Sequence, residues 1–154
     1  MKNRDELVVV LPGKGTDSLM LGCSTTVIRQ QLGKPELTNT YSDEIWWSFF
    51  QAGIDCGFER ARKVLIAVNF FREGVAGHKQ ALASTKEGLC PGVPRIVVVQ
   101  RFGKPDDSGE GWTDRDGKWH RSWIKYSSGI AFEFGHDDKA DVMTVYPADT
   151  PKGQ

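Results

Sequence analysis

The chain writes one pattern twice. Residues 21–36 read LGCSTTVIRQQLGKPE and residues 91–106 read PGVPRIVVVQRFGKPD. Gly22 lines up with Gly92, Val27 with Val97, and the GKPE run starting at Gly33 with the GKPD run starting at Gly103. After an insert that is longer in the second copy, residues 47–58 (WSFFQAGIDCGF) line up with residues 123–134 (WIKYSSGIAFEF). Each copy closes on an apolar run, VLIAVNFF from Val64 and VMTVYP from Val142. Two copies fall short of a solenoid, so the duplication points to two like halves of one unit.

Local rules turn each copy into the same elements. Ser24 is a good N-cap, and Val27, Ile28 and Leu32 share one helical face. Gly33 stops that helix as a residue of positive φ, with Pro35 just beyond. In the second copy Pro94 fits the first helical turn. Ile96, Val97, Val98 and Val99 are β-branched and favour a strand; alignment with the first copy decides for a helix that stops at Gly103. The run EIWWSFF from Glu44 has strand composition, and Gly53 and Gly129 sit at tight turns. Ile54, Cys56 and Phe58 alternate, as do Ile130, Phe132 and Phe134, which puts each trio on one face. Residues 59–63 and 135–141 are polar hairpin loops. The expected fold class is α+β: two tandem repeats, each a helix plus a three-stranded antiparallel meander, with the helices packed on one face of the sheet. At 154 residues the chain suits a single compact domain, built from repeats at about residues 6–72 and 73–148.

The order of a Gly-led helix ending in GKP plus an acid, then a Trp-led strand, then GI-x-F-x-F and a final apolar strand resembles a family of small bacterial domains. That family includes tandem-repeat proteins of the β-lactamase inhibitory type and the single-copy SmpA/OmlA outer-membrane assembly lipoproteins. The resemblance runs from about Leu19 to Pro147. It implies a protein-binding role, either inhibition of an enzyme or toxin or, as an alternative, assembly at the cell envelope.

Charge narrows the partners. Lys plus Arg is 20 and Asp plus Glu is 20, without the basic excess of a nucleic-acid binder. Cys23, Cys56 and Cys90 are odd in number and widely spaced, which suits neither a disulfide framework nor a zinc site. A reduced, cytoplasmic setting is expected. The run LMLGC ending at Cys23 looks like the end of a lipoprotein signal. The apolar stretch before it is only residues 7–11, too short for a signal h-region, and residues 11–18 (LPGKGTDS) interrupt it. No segment reaches a transmembrane length.

No residue set reads as a catalytic machine. Cys56 alternates with Ile54 and Phe58 and reads as a buried thiol. His136 reads as a solvated turn residue. The LPGKG loop lacks the P-loop pattern and reads as a turn. Residues 106–120 (DDSGEGWTDRDGKWH) lack calcium-loop spacing and read as a hairpin with an Asp-Gly turn at Asp116 and Gly117. No metal or cofactor is called for. On strand alternation, Trp47 and Trp123 should face the core and Trp46 should face outward. The expected partner-binding set is Trp46, Trp112, Asp114, Asp116, Trp119 and His120: aromatic anchors within an acidic rim, suited to a basic protein such as a toxin. The expected function is an inhibitor or immunity-type module, not an enzyme, with neither nucleic acid nor membrane as partner. The alternative is a small-ligand protein or hydrolase built on His120, Asp114 and Asp116.

Overall fold

The structure, a computed structural model, describes residues 7–149. The expected start of the first repeat, near residue 6, and the ends of the 1–154 span lie outside the described residues. In chain order the elements are β1 (Val8–Val10), α1 (Thr25–Leu32), β2 (Leu37–Thr40), β3 (Glu44–Phe49), β4 (Ile54–Glu59), β5 (Val64–Phe71) and a 3-10 turn (Val75–Gly77). Then come β6 (Ala83–Thr85), α2 (Arg95–Phe102), β7 (Asp107–Gly109), β8 (Trp112–Thr113), β9 (Trp119–His120), β10 (Ser122–Tyr126), β11 (Ile130–Phe134) and β12 (Ala140–Val145).

Eight of the strands form one antiparallel sheet in the order β2-β3-β4-β5-β12-β11-β10-β7. This corrects the expected α+β architecture. Each copy supplies four strands to this sheet, not three, and among the described residues the fold is mostly β, with two short helices. The missed strands, β2 and β7, are the outer edges. Leu37–Thr40 is exposed at every position, so no alternation marked it. Each helix is eight residues long and buries one side chain completely, Ile28 or Val98. Two turns span about 12 Å, too little to cover a half-sheet as a separate layer.

The halves join edge to edge. β5 pairs with β12 in the register Met143–Phe70, Thr144–Asn69 and Val145–Val68. Cys56 pairs with Val68 as Phe132 pairs with Met143, so Val68 and Met143 are equivalent positions. Asn69 and Thr144 are therefore equivalent to each other, and a pseudo-twofold axis passes between them. Thr144 Oγ1 donates to Asn69 Oδ1 at 2.7 Å across that axis. Both halves also carry the same β-bulge, between Gly57 and Phe58 and between Glu133 and Phe134. The extra residue is Ile66 in one half and Asp141 in the other.

The core lies on one face of the sheet. Phe58, Phe70, Phe132, Phe134, Leu65 and Met143 are fully buried there with Ile28 and Val98. β1 pairs in parallel with β6 and closes one side of it with Val10 and Leu89. The LPGKG loop is held against the second half: Gly13 N donates to Gly129 O, and Lys14 N and Gly15 N donate to Leu11 O. A Cβ on Gly13 would stand 2.6 Å from Ser128 O, so the loop serves a close backbone approach, with its amides already engaged.

The helix boundaries lie where the local signals put them. Ser24 Oγ accepts from Val27 N at 3.4 Å. Pro94 is the N-cap of α2, just before the turn where it was expected. Gly33 and Gly103 both have positive φ, at 83° and 81°. Among the described residues, no helix is long and apolar enough to cross a membrane.

A candidate ligand cleft on the outer sheet face

Alternation along β3 sends Trp47 and Phe49 into the core and Glu44, Trp46 and Ser48 to the opposite, outer face. Trp47 packs edge-on against Phe49 and Phe58, with ring centroids 6.5 and 4.8 Å away. The expected match of Trp123 to Trp47 is corrected here. Phe49 pairs with Ile54 across a four-residue turn, whereas Tyr126 pairs with Ile130 across a three-residue turn. The shorter turn slips β10 by one residue, and a one-residue slip reverses every side chain. Ile124 takes the core position, and Trp123 faces outward as the counterpart of Trp46.

Trp46 lies across β4 at Gly57, its cross-strand neighbour. A Cβ on Gly57 would stand 2.6 Å from the indole Cη2 and Cζ2, so only glycine lets the ring lie this close to the backbone. Indole Nε1 donates to Glu44 Oε2 at 2.8 Å. One ring face rests on the sheet, and the polar edge is anchored. Around this ring Asn39, Tyr41, Glu44, Ser48, Asp55 and Asn69 line a cleft of about 420 Å³, within the usual size of small-molecule sites. Cross-strand pairing assembles it: Asn39 faces Trp46 across β2–β3, and Ser48, Asp55 and Asn69 form one row across β3, β4 and β5. Tyr41 is 57% exposed at the rim.

Asp55 is held from behind. His78 is buried and stacks on Phe71 at 3.8 Å between centroids. Its Nδ1 donates toward the carbonyls of Val75 and Ala76 at 3.2 and 3.1 Å. Its Nε2 lies 2.7 Å from Asp55 Oδ1. The other Asp55 oxygen and the Asn69 Nδ2 group have no protein partner among the described residues. Sequence reasoning missed this set apart from Trp46. The alternation that turned Trp46 outward also turned out Glu44 and Ser48, but Asn39, Asp55 and Asn69 join them only through pairing.

The other expected contact residues lie elsewhere. β3 and β10 are separated by five strand spacings, about 24 Å, and the β8–β9 hairpin belongs to the β10 end. Trp46 therefore does not share a site with Trp112, Asp114, Asp116, Trp119 and His120. Within the hairpin, Trp112 is 57% exposed and stacks on His120 at 4.2 Å. Trp119 stacks on His136 at 3.8 Å. Asp114 Oδ1 accepts from Asp116 N and Lys118 N, both at 2.9 Å, and Oδ2 lies 3.0 Å from His120 Nε2. The His120 hydrogen bond and the Lys118 amide hold the Asp114 carboxyl below its ordinary range. These bonds form the turn, so Asp114 caps the hairpin it was expected to decorate. Asp116 is exposed beside it. Burial pushes the Cys56 thiol far above its ordinary range and raises Cys23 as well. Among the described residues no group of three or more His, Cys, Asp or Glu could hold a metal.

Fold and cleft together define a class: a duplicated, mostly β domain with a pseudo-twofold sheet and a ligand-sized cleft on one half. No family model and no curated protein matches the chain. Solved structures do. A DUF4309 family protein from Bacillus subtilis matches with a TM-score of 0.58 at 15% identity, over 88% of each chain. An extracellular protein containing an SCP domain from Bacillus anthracis matches at 0.53 and 13% identity, over 96% of this chain and 50% of that one. A cysteine-rich secretory protein from Staphylococcus aureus matches at 0.51 and 11% identity, over 92% of this chain and 50% of that one. This chain thus spans half the length of the latter two. Identities this low establish a likeness of fold alone. These neighbours differ from the inhibitory proteins and assembly lipoproteins that the sequence pattern resembles.

Proposed function

We propose that this protein is a binding module that holds its ligand in the Trp46 cleft without carrying out chemistry on it. One observation carries the reading: a backbone-seated indole forms the floor of a cleft of about 420 Å³ whose rim is made of hydrogen-bonding side chains. Acid–base catalysis fits this arrangement poorly. Glu44 lies on β3 and Asp55 on β4 opposite Ser48, four residues further along, so their backbone positions stand about 14 Å apart along the strands. Carboxylates that act on one glycosidic bond stand within about 5–9.5 Å of each other. Ser48 has no histidine hydrogen-bonded to it among the described residues, and the Cys56 thiol is fully buried in the core, where desolvation disfavours the thiolate.

The inhibitor or immunity-type reading would instead use the β8–β9 hairpin, and the exposure of Trp112 favours it as the second reading. One experiment separates the two. In a fragment screen followed by two-dimensional NMR, ligands should concentrate their shifts on the Trp46 indole N–H and on the Asn39 and Asn69 side-chain amides. Shifts gathered on Trp112 and Trp119, with the Trp46 indole unmoved, would overturn the cleft assignment.

A further inference from the structure

The geometry points to a saccharide as the occupant of the cleft: a neutral pyranose stacked on Trp46, with its hydroxyls on the polar rim. This rests on the cleft being the binding site. A pyranose in its chair form has an apolar face of axial C–H bonds and a girdle of hydroxyls that each donate and accept. The cleft meets both. The indole is seated on Gly57 and tethered through Nε1 to Glu44, so little ordering is needed when a ring stacks on it. Asp55 supplies an acceptor, held in place by His78. Asn69 supplies donors, because its oxygen already accepts from Thr144. Asn39 and Ser48 can do either.

Competing ligand classes fit less well. Among the described residues no Lys or Arg lines the cleft, so a phosphate or carboxylate would meet two carboxylates and no fixed cation there. A purely apolar ligand would strip water from the rim and return no hydrogen bonds. A cation could use the indole face and the carboxylates. It would leave the amides of Asn39 and Asn69 with nothing to donate to.

The duplication provides an internal comparison. Register equates Glu44 with Arg121, Ser48 with Lys125, Asp55 with Ala131 and Asn39 with Gly109. Trp46 keeps its counterpart in Trp123, but the rim does not. Arg121 is drawn to Asp141 at 2.8 Å, and Lys125 sits over the Tyr146 ring at 4.9 Å. The second half builds the same four strands without the rim groups, so the sheet does not need them in order to fold. The cleft is open and lies on a sheet, which suits one or two units of a flat, equatorially linked chain better than an enclosed single sugar.

The test uses the full chain, with cellohexaose and chitohexaose as probes. Each is titrated while the tryptophan indole N–H signals are followed by NMR, and affinity is taken from calorimetry. The expected result is a saturable shift of the Trp46 signal with at least one of the two. Asn39→Ala, at an exposed edge position, should weaken binding about tenfold with the circular dichroism spectrum unchanged. Gly57→Ala alters no rim residue but pushes the indole off its seat, and should weaken binding at least as much. Trp123→Ala should change nothing. Hexyltrimethylammonium serves as the cationic probe. If it moves the Trp46 signal while both saccharides at millimolar concentration do not, the saccharide assignment fails and the cleft remains a binding site. If none of the three moves that signal, the saccharide assignment is overturned, and the fragment screen then decides whether the cleft reading falls with it.

Discussion

Two pairs of glycines do different work at the scale of single residues. Gly57 and Gly109 clear space for an indole, Trp46 or Trp123, to lie on the neighbouring strand. Gly33 and Gly103 end the helices at the positive φ expected of them, but outside the left-handed helical region that commonly closes a helix. With φ, ψ of 83°, −159° and 81°, −165°, they occupy the mirror-extended region that is open essentially to glycine alone. Apart from the adjoining residues, no atom lies within 4 Å of a Cβ built at either position, so alanine there would be penalised through the backbone only. Gly33→Ala and Gly103→Ala should each cost about 1–3 kcal/mol, and by similar amounts. Urea denaturation measures this; midpoints equal to that of the parent chain would contradict the conformational argument.

Among the elements, the β11–β12 hairpin is the one most bound by charge. Its bulge residue Asp141 accepts from Arg72 Nη1 at 3.4 Å and from Arg121 Nε at 2.8 Å. Arg72 Nη2 also pairs with Asp137 at 2.7 Å. The Arg72 guanidinium draws the Asp137 carboxyl down to about 2. A folded-state value below the unfolded one adds stability above the unfolded value and loses it as protons return. The contribution of this pair should therefore be complete above about pH 5 and disappear between about pH 4 and 2. Asp137→Asn should flatten the stability profile in that window relative to the parent chain, read from urea midpoints at pH 5 and 2.5. Superimposable profiles would mean that the pair contributes nothing to acid sensitivity. Asp137 is 45% exposed, so solvent screening keeps the effect small.

For the whole molecule, the β5–β12 junction makes two copies into one sheet. Core side chains from both halves meet in a single cluster on one face, and the Asn69–Thr144 hydrogen bond sits at the pseudo-twofold axis. Such a molecule should unfold as one cooperative unit. Phe58 and Phe134 are equivalent and fully buried. Phe58→Ala and Phe134→Ala should each cost about 3–5 kcal/mol through lost burial and a residual cavity, and each should move the same single transition. A calorimetric trace that split into two transitions, with only one moved by each variant, would mean that the halves fold separately.

Features set by neighbours a few residues away were legible in the sequence. The cap at Ser24, the glycine stops, the inward alternation of Ile54, Cys56 and Phe58, and the outward turn of Trp46 all follow from local backbone and hydrophobic rules. Features set by pairing were not. A turn shorter by one residue turned Trp123 from the expected core to the outer face, because register depends on turn length as well as on the apolar pattern. The edge strands Leu37–Thr40 and Asp107–Gly109 bury almost nothing and so left no signal. The hairpin aromatics and Trp46 were grouped by composition, yet the sheet holds them at opposite ends. The cleft itself draws Asn39, Trp46, Asp55 and Asn69 from four different strands. Only cross-strand hydrogen bonding brings those side chains to one place, and that contact exists nowhere along the linear chain.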